Sequence, residues 1–327
     1  MRRLLVYGGL MLVLLLVSLI ALNAGAVSIG LGKILGGSLD VVETTILVDI
    51  RLPRILLNII VGAGVATAGA AIQGLFRNPL ADPALIGVSS GAALFAAGFM
   101  VLGLTDPIVN QIGISGSAFI GGLITTIVVL VVGQRSGSIS SMLLAGIAIN
   151  AVALSGVGLF SYLSSDAQLR SVAFWALGSF NAADWTMVQI AVLSIPFIGL
   201  ILVESGRLNA ITLGDQEASH LGILVSALRR RIVLYTAVIV GIGVSLAGVI
   251  SFVGLIVPHL VRLTLGSNHF VLVPCSALLG AILVVTADLV CRTAFAPAEL
   301  PVGLLTALVG GPFFIYLIVI QKEKLGI

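Results

Sequence analysis

The sequence predicts an all-α polytopic membrane protein, with about ten transmembrane helices and an inverted internal repeat. Three observations predict it. Of 327 residues, 59% are hydrophobic and 9% charged, whereas a soluble domain carries about a quarter charged residues. The apolar residues fall in runs of about twenty, the length of a helix that crosses a bilayer. A glycine-bearing pattern also occurs twice, as Val61-Gly62-x-Gly64-Val65-x-x-Ala68-Gly69 and as Val240-Gly241-x-Gly243-Val244-x-x-Ala247-Gly248. The offset, 240 − 61 = 179, also relates Pro79 to Pro258 and Gly87 to Gly266. Duplication of this kind is a common way to build transporters.

Taken in order, Arg2 and Arg3 precede an apolar run from Leu4 to Leu22. Ala24-Gly25-Ala26 resembles a signal-peptidase site, but the run is long enough to span and is read as an uncleaved first helix. Further spans are predicted at about 55–75, 86–104, 112–133, 141–163, 186–204, 232–249, 251–263, 271–291 and 303–321. Repeat halves of about 51–165 and 230–321 sit in a single transmembrane domain covering 1–327. The stretch Arg51–Ala93 organises the rest. It holds a span whose glycines at 62, 64, 69 and 74 let another backbone approach closely, then breaks at Arg77-Asn78-Pro79-Leu80-Ala81-Asp82-Pro83.

Basic residues select the inner side of a membrane protein. With Arg2 and Arg3 inside, 11 of the 16 basic residues fall on inner ends and loops. The outer side holds Lys33, Arg51, Arg54, Arg170 and Arg292, with most of the acids. Both termini are then cytoplasmic. The first repeat then enters the chain's second span going inward, and the second repeat enters the chain's seventh span going outward. The longest inner loop, 205–231, is too polar to span; Leu213-Gly214-Asp215 and Glu217-Ala218-Ser219-His220-Leu221-Gly222 suggest two short helices joined at a glycine. It either grips a soluble motor or lies on lipid as an amphipathic helix.

The net charge of +3 gives no reason to expect a nucleic-acid partner. Cys275 and Cys291 are 16 residues apart on one predicted helix, roughly 24 Å at 1.5 Å per residue, which is too far for a disulfide or a shared metal. The sequence has no Walker motif, no metal-spaced Cys/His cluster and no nucleophile–base pattern. The chain is therefore read as neither an ATPase nor any other enzyme, with no metal or cofactor of its own.

Several motifs, in order, resemble the FecCD-type permeases: Arg51-Leu52-Pro53-Arg54, Asn78-Pro79-Leu80-Ala81-Asp82-Pro83, Leu85-Ile86-Gly87-Val88-Ser89-Ser90-Gly91-Ala92-Ala93, Phe174-Trp175-x-x-Gly178-Ser179, the Gly214–Gly222 loop, Gly254-Leu255-Ile256-Val257-Pro258-His259-Leu260-Val261-Arg262 and Ala298-Glu299-Leu300-Pro301-Val302-Gly303. The resemblance implies the type II fold of ABC importer permeases, in the inner membrane. It also implies a homodimer with the pathway between its subunits, two ATP-binding cassette subunits holding ATP and Mg on the inner side, and a substrate-binding protein docking outside.

By the same resemblance, Arg51, Arg54 and Arg292 meet carboxylates of the binding protein. The alternative is snorkelling to lipid headgroups. Gly214, Asp215, Glu217, His220, Leu221 and Gly222 form the coupling segment on the ATPases. Asn78, Leu80, Ser140 and Ser141 form the cytoplasmic gate, although Asn-Pro is also an ordinary helix stop. Asn150 and Ser155 line the pathway, with Gln73 and Asn58 as further candidates, although buried amides also simply bond neighbouring helices. Asp288 and Arg292 read as an i,i+4 pair. All three histidines map to the inner side and offer no haem-ligating set. The cargo reading is an iron chelate, haem ahead of a ferric siderophore or vitamin B12. An ion-coupled secondary transporter is the rival reading, but it needs charged residues at the helix centres, which are missing.

Overall fold

A computed structural model describes residues 2–325 other than 26–28, 38, 105, 136–138, 295 and 297; Ala26 therefore lies outside the described residues. The helices in chain order are α1 (Arg2–Asn23), α2 (Leu31–Gly36), α3 (Val41–Thr45), α4 (Leu52–Leu75), α5 (Val88–Val101), α6 (Pro107–Arg135), α7 (Ile139–Leu163), α8 (Asp166–Ala176), α9 (Trp185–Val192) and α10 (Ile195–Val203). They continue with α11 (Ser205–Ile211), α12 (Asp215–His220), α13 (Val225–Ala247), α14 (Val253–Leu265), α15 (His269–Thr293) and α16 (Val302–Leu325). Seven apolar stretches among the described residues are long enough to cross a membrane, and Val88–Val101, Val253–Leu265 and Val302–Tyr316 are shorter apolar helices. Together they match the ten predicted spans.

Three departures have local causes. The second span begins not near 55 but at Val41, because Asp40 and Glu43 form a capping box that satisfies the free N–H groups of a helix start. Pro53 does not break this span. A π-turn over Ile46–Arg51 precedes it, with Leu52 N–H bonding Leu47 O, and the wider ladder absorbs a residue that cannot donate. The span predicted at 186–204 is jointed between α9 and α10, since Pro196 in the first turn of α10 has no N–H to continue the ladder.

The bundle is built around α4, whose packing on α15 is its most extensive interface. Glycine makes this possible: a Cβ at Gly62 would lie 2.5 Å from the Gly280 carbonyl oxygen, and one at Gly69 would overlap the Gly254 carbonyl on α14. Gly62 meets Gly280 while Gly74 meets His269, so α4 and α15 are antiparallel. Gly64 meets Ile239 and Gly243 meets Val61, so α4 and α13 are antiparallel as well. In contrast, α1 and α15 run parallel, with Tyr7 donating to Phe270 O at 3.2 Å and Arg292 donating to Ala21 O further along.

The two predicted halves hold helices of similar length in the same order. Helices α4 to α7 have 24, 14, 29 and 25 residues; α13 to α16 have 23, 13, 25 and 24. The register differs from the predicted 179. Helix α13 starts 225 − 52 = 173 residues after α4 and ends 247 − 75 = 172 after it. Gly69 thus lies inside α4, whereas Gly248 is the cap beyond α13. Pro79 sits in a link and Pro258 inside α14; Gly87 starts α5 and Gly266 ends α14. The small-residue run recurs because both helices cross neighbours closely, not because the positions are equivalent.

Candidate functional site

The two ends of the bundle carry different chemistry. At one end, α4, α15 and the C-terminus of α1 converge on buried arginines. Arg51 Nη1 donates to Leu22 O at 2.6 Å and to Asn23 O at 3.0 Å, and Arg292 donates to Ala21 O. A helix C-terminus leaves carbonyls without partners and carries partial negative charge, so these two guanidiniums cap α1. Arg54 takes both oxygens of Asp288, at 2.8–3.1 Å, then Glu299 at 2.9 Å and Asn181 Oδ1 at 3.2 Å. Arg54 and Asp288 are 6% and 1% exposed, a buried ion pair that breaking would leave as an uncompensated charge.

Arg51, Arg54 and Arg292 stand at one end of the bundle together, and each makes hydrogen bonds inside the chain. The i,i+4 pair of Asp288 and Arg292 exists at 3.8 Å and is secondary to Arg54. No signal in the sequence pairs Arg54 with residues 127 to 245 positions away.

The opposite end gathers 205–231. Glu204 is buried and binds Arg207 at 2.6 Å and Arg231 at 3.3 Å, closing the segment at its two roots. Leu208 and Ile211 of α11 are buried. The predicted pair of short helices is present as α11 and α12, joined at Gly214, whose φ of +133° suits glycine. Helix α12 seats on Ala218, while Glu217, His220 and Gly222 are exposed, as are Leu213, Leu221 and Leu224. Asp215 differs from its neighbours. It turns back to Arg229 on α13 and to Arg77, 3.7 Å away, while its side chain stays 40% exposed.

The link after α4 lies at this same end. Asn78 and Leu80 form one turn, with Asn78 Oδ1 accepting from Leu80 N at 2.9 Å. Ser140 is exposed and Ser141 half-buried at the start of α7; 136–138 before them lie outside the described residues. Gln73 is 1% exposed; it donates to Leu255 O at 2.9 Å and accepts from Arg262 at 3.4 Å. It ties α4 to α14. Asn58 is likewise buried, and neither of its amide atoms has a hydrogen-bond partner among the described residues. Asn150 accepts from Ser90 at 2.5 Å and donates to Ala84 O at 3.3 Å, which joins α7 to α5. Ser155 lies on the open face of α7, its hydroxyl returned to Ala151 O at 2.8 Å. That face also shows Leu144, Ile147, Val152 and Leu159.

The histidines stand at the α12 end as expected. His259 bonds the Pro79 carbonyl and His269 Nδ1 is 2.8 Å from Asn209 Oδ1. Cys275 and Cys291 are separate buried thiols on α15. Sequence reasoning missed α8, an amphipathic helix whose capping box of Ser165 and Gln168 was readable as Ser-x-x-Gln.

Half-length apolar helices between full spans, with a stapled polar segment at one end, make this a multi-pass membrane protein. The model of the FecCD transport family matches residues 11–320, and the chain belongs to that family. It is 43% identical over 323 residues to the hemin transport system permease protein HmuU of Yersinia pestis, covering 98% of this chain and 97% of that one. It is 41% identical over 273 residues to the cobalamin import system permease protein BtuC of Halobacterium salinarum, covering 82% and 72%. A solved structure described as an inward-facing metal-chelate type ABC transporter superposes with a TM-score of 0.88 at 33% identity, covering 96% of this chain and 98% of that one. The chain is thus a membrane-spanning permease subunit of the ABC importer kind and not itself an enzyme.

Proposed function

We propose that two copies of this chain form the membrane half of an ATP-driven importer of haem. The α12 end faces the cytosol with both termini, and the Arg54 end faces a substrate-binding protein. The observation that carries the cargo is the 43% identity to a hemin permease along almost the whole length of both chains. Cobalamin and vitamin B12 permeases are matched at lower identity, 37–41%, so vitamin B12 stands second, alongside a ferric siderophore.

In this reading the exposed leucines 213, 221 and 224, with Glu217 and His220, seat in ATPase subunits that hold ATP and Mg, and this chain binds no cofactor. Asn78, Leu80, Ser140 and Ser141 close the cytosolic end of a path between the copies, lined by Ser155 and the open face of α7. The buried arginines shape the outer platform on which the binding protein rests. Helix α7 carries no histidine or cysteine, which suits a path that passes cargo on rather than holding it.

The test is uptake of labelled haem, a ferric siderophore and cobalamin into proteoliposomes holding the chain with its ATPase and binding-protein partners. ATP-dependent haem uptake is expected. Uptake by this chain alone, driven by an ion gradient, would overturn the reading; preference for cobalamin would overturn the cargo.

A further inference from the structure

Asp215 opens α12 half-exposed, and what its carboxylate meets is the last residue before the Asn78–Leu80 turn. One carboxylate oxygen is bonded by Arg229 at the start of α13; the other lies 3.7 Å from Arg77 Nη2. Arg229 is the enclosed partner, its side chain 14% exposed, and Arg77 the accessible one at 41%.

Arg77 is an unfavourable residue for its own backbone. Its N–H bonds Gly74 O at 3.2 Å and the Asn78 N–H bonds Gln73 O at 3.1 Å, the paired bonds of a helix end whose middle residue is left-handed and ordinarily glycine. Arg77 indeed has φ 51°. What an arginine contributes there is its side chain, and the side chain spans to Asp215. The link it starts is firmly held: Asn78 closes the turn on Leu80, Ala81 N bonds Asn78 O at 3.1 Å, and His259 on α14 bonds the Pro79 carbonyl. A link fixed in this way moves as a body.

We propose that the Asp215–Arg77 contact is a strut that passes displacement of α12 to the Asn78–Leu80 turn, with Arg229 fixing its foot on α13. The inference rests on the functional reading above, since it needs a motor on the outward face of α12. An exposed ion pair contributes little to stability; the role here is to transmit position. Arg77 is accordingly a positioning residue.

The experiment compares the unmodified complex, Arg77→Gly and Arg77→Lys in proteoliposomes, measuring substrate moved per ATP hydrolysed, ATPase rate and thermal midpoint. Glycine suits the left-handed backbone, so Arg77→Gly should keep assembly, ATPase rate and midpoint while transport per ATP falls by about fivefold or more. Arg77→Lys, keeping a cation within reach, should retain most of the coupling. Wild-type transport per ATP in Arg77→Gly overturns the strut alone. So does an equal loss in both variants, or a loss that follows falling midpoint or assembly. An unmodified complex that moves none of the three cargoes overturns the functional reading, and the strut with it.

Discussion

Arg54 shows what one side chain can decide in a membrane bundle. Its fork gathers α15 through Asp288, the stretch before α16 through Glu299 and the stretch before α9 through Asn181. Arg54→Ala leaves Asp288 buried without its partner and should cost about 3–5 kcal/mol, read as a large drop in thermal midpoint in detergent. Arg54→Ala with Asp288→Ala removes both charges and should recover part of that loss. A double variant as unstable as the sum of its singles would contradict the pairing. Arg51→Ala uncaps α1 and should cost about 1.5–3 kcal/mol, the worth of hydrogen bonds to a charged group. The position of these arginines at one end was legible from the flanking apolar runs. Their partners were not, because pairing across more than a hundred residues is a property of the packed bundle.

At the scale of the element, composition and punctuation reveal existence better than extent. The apolar runs announced every long span, and the serine and aspartate caps at Ser165 and Asp40 were visible to anyone counting three residues on. Pro53 misleads because a π-turn lets a helix continue past it, and Pro196 because a long apolar run conceals a joint. Close crossing is the other rule of these helices. Gly69→Val would force a branched side chain into the Gly254 carbonyl, and overpacking of this kind costs about 1–3 kcal/mol or more; reduced yield of folded protein is expected. Helix α12 makes the opposite case. Leu213→Glu with Leu221→Glu changes exposed positions, where substitutions stay within about 0.5 kcal/mol, so the midpoint should hold. Co-purification of ATPase subunits should be lost, and their retention would count against the seat proposed for them.

For the whole molecule, the two halves leave one face of α7 open along most of its length, with 17% of that span buried in the single chain. If that face lines a path between two copies, Ser155→Trp should obstruct it. Uptake should fall by about tenfold, a loss of roughly 1.4 kcal/mol, while ATP hydrolysis continues. Undiminished uptake would place Ser155 against lipid instead.

The sequence by itself determined that this chain is built of apolar helices of membrane-spanning length, about how many there are, and which family it belongs to. Those properties follow from local apolar length and from short motifs, and both survive in a linear reading. Only the tertiary structure decided that the three arginines bond inside the chain, that Gln73 ties α4 to α14, that Asp215 reaches Arg77, and that the repeat keeps element order but not the 179 register. Each of these depends on which backbones approach closely enough for one side chain to find another, and that distance exists only once the helices have packed.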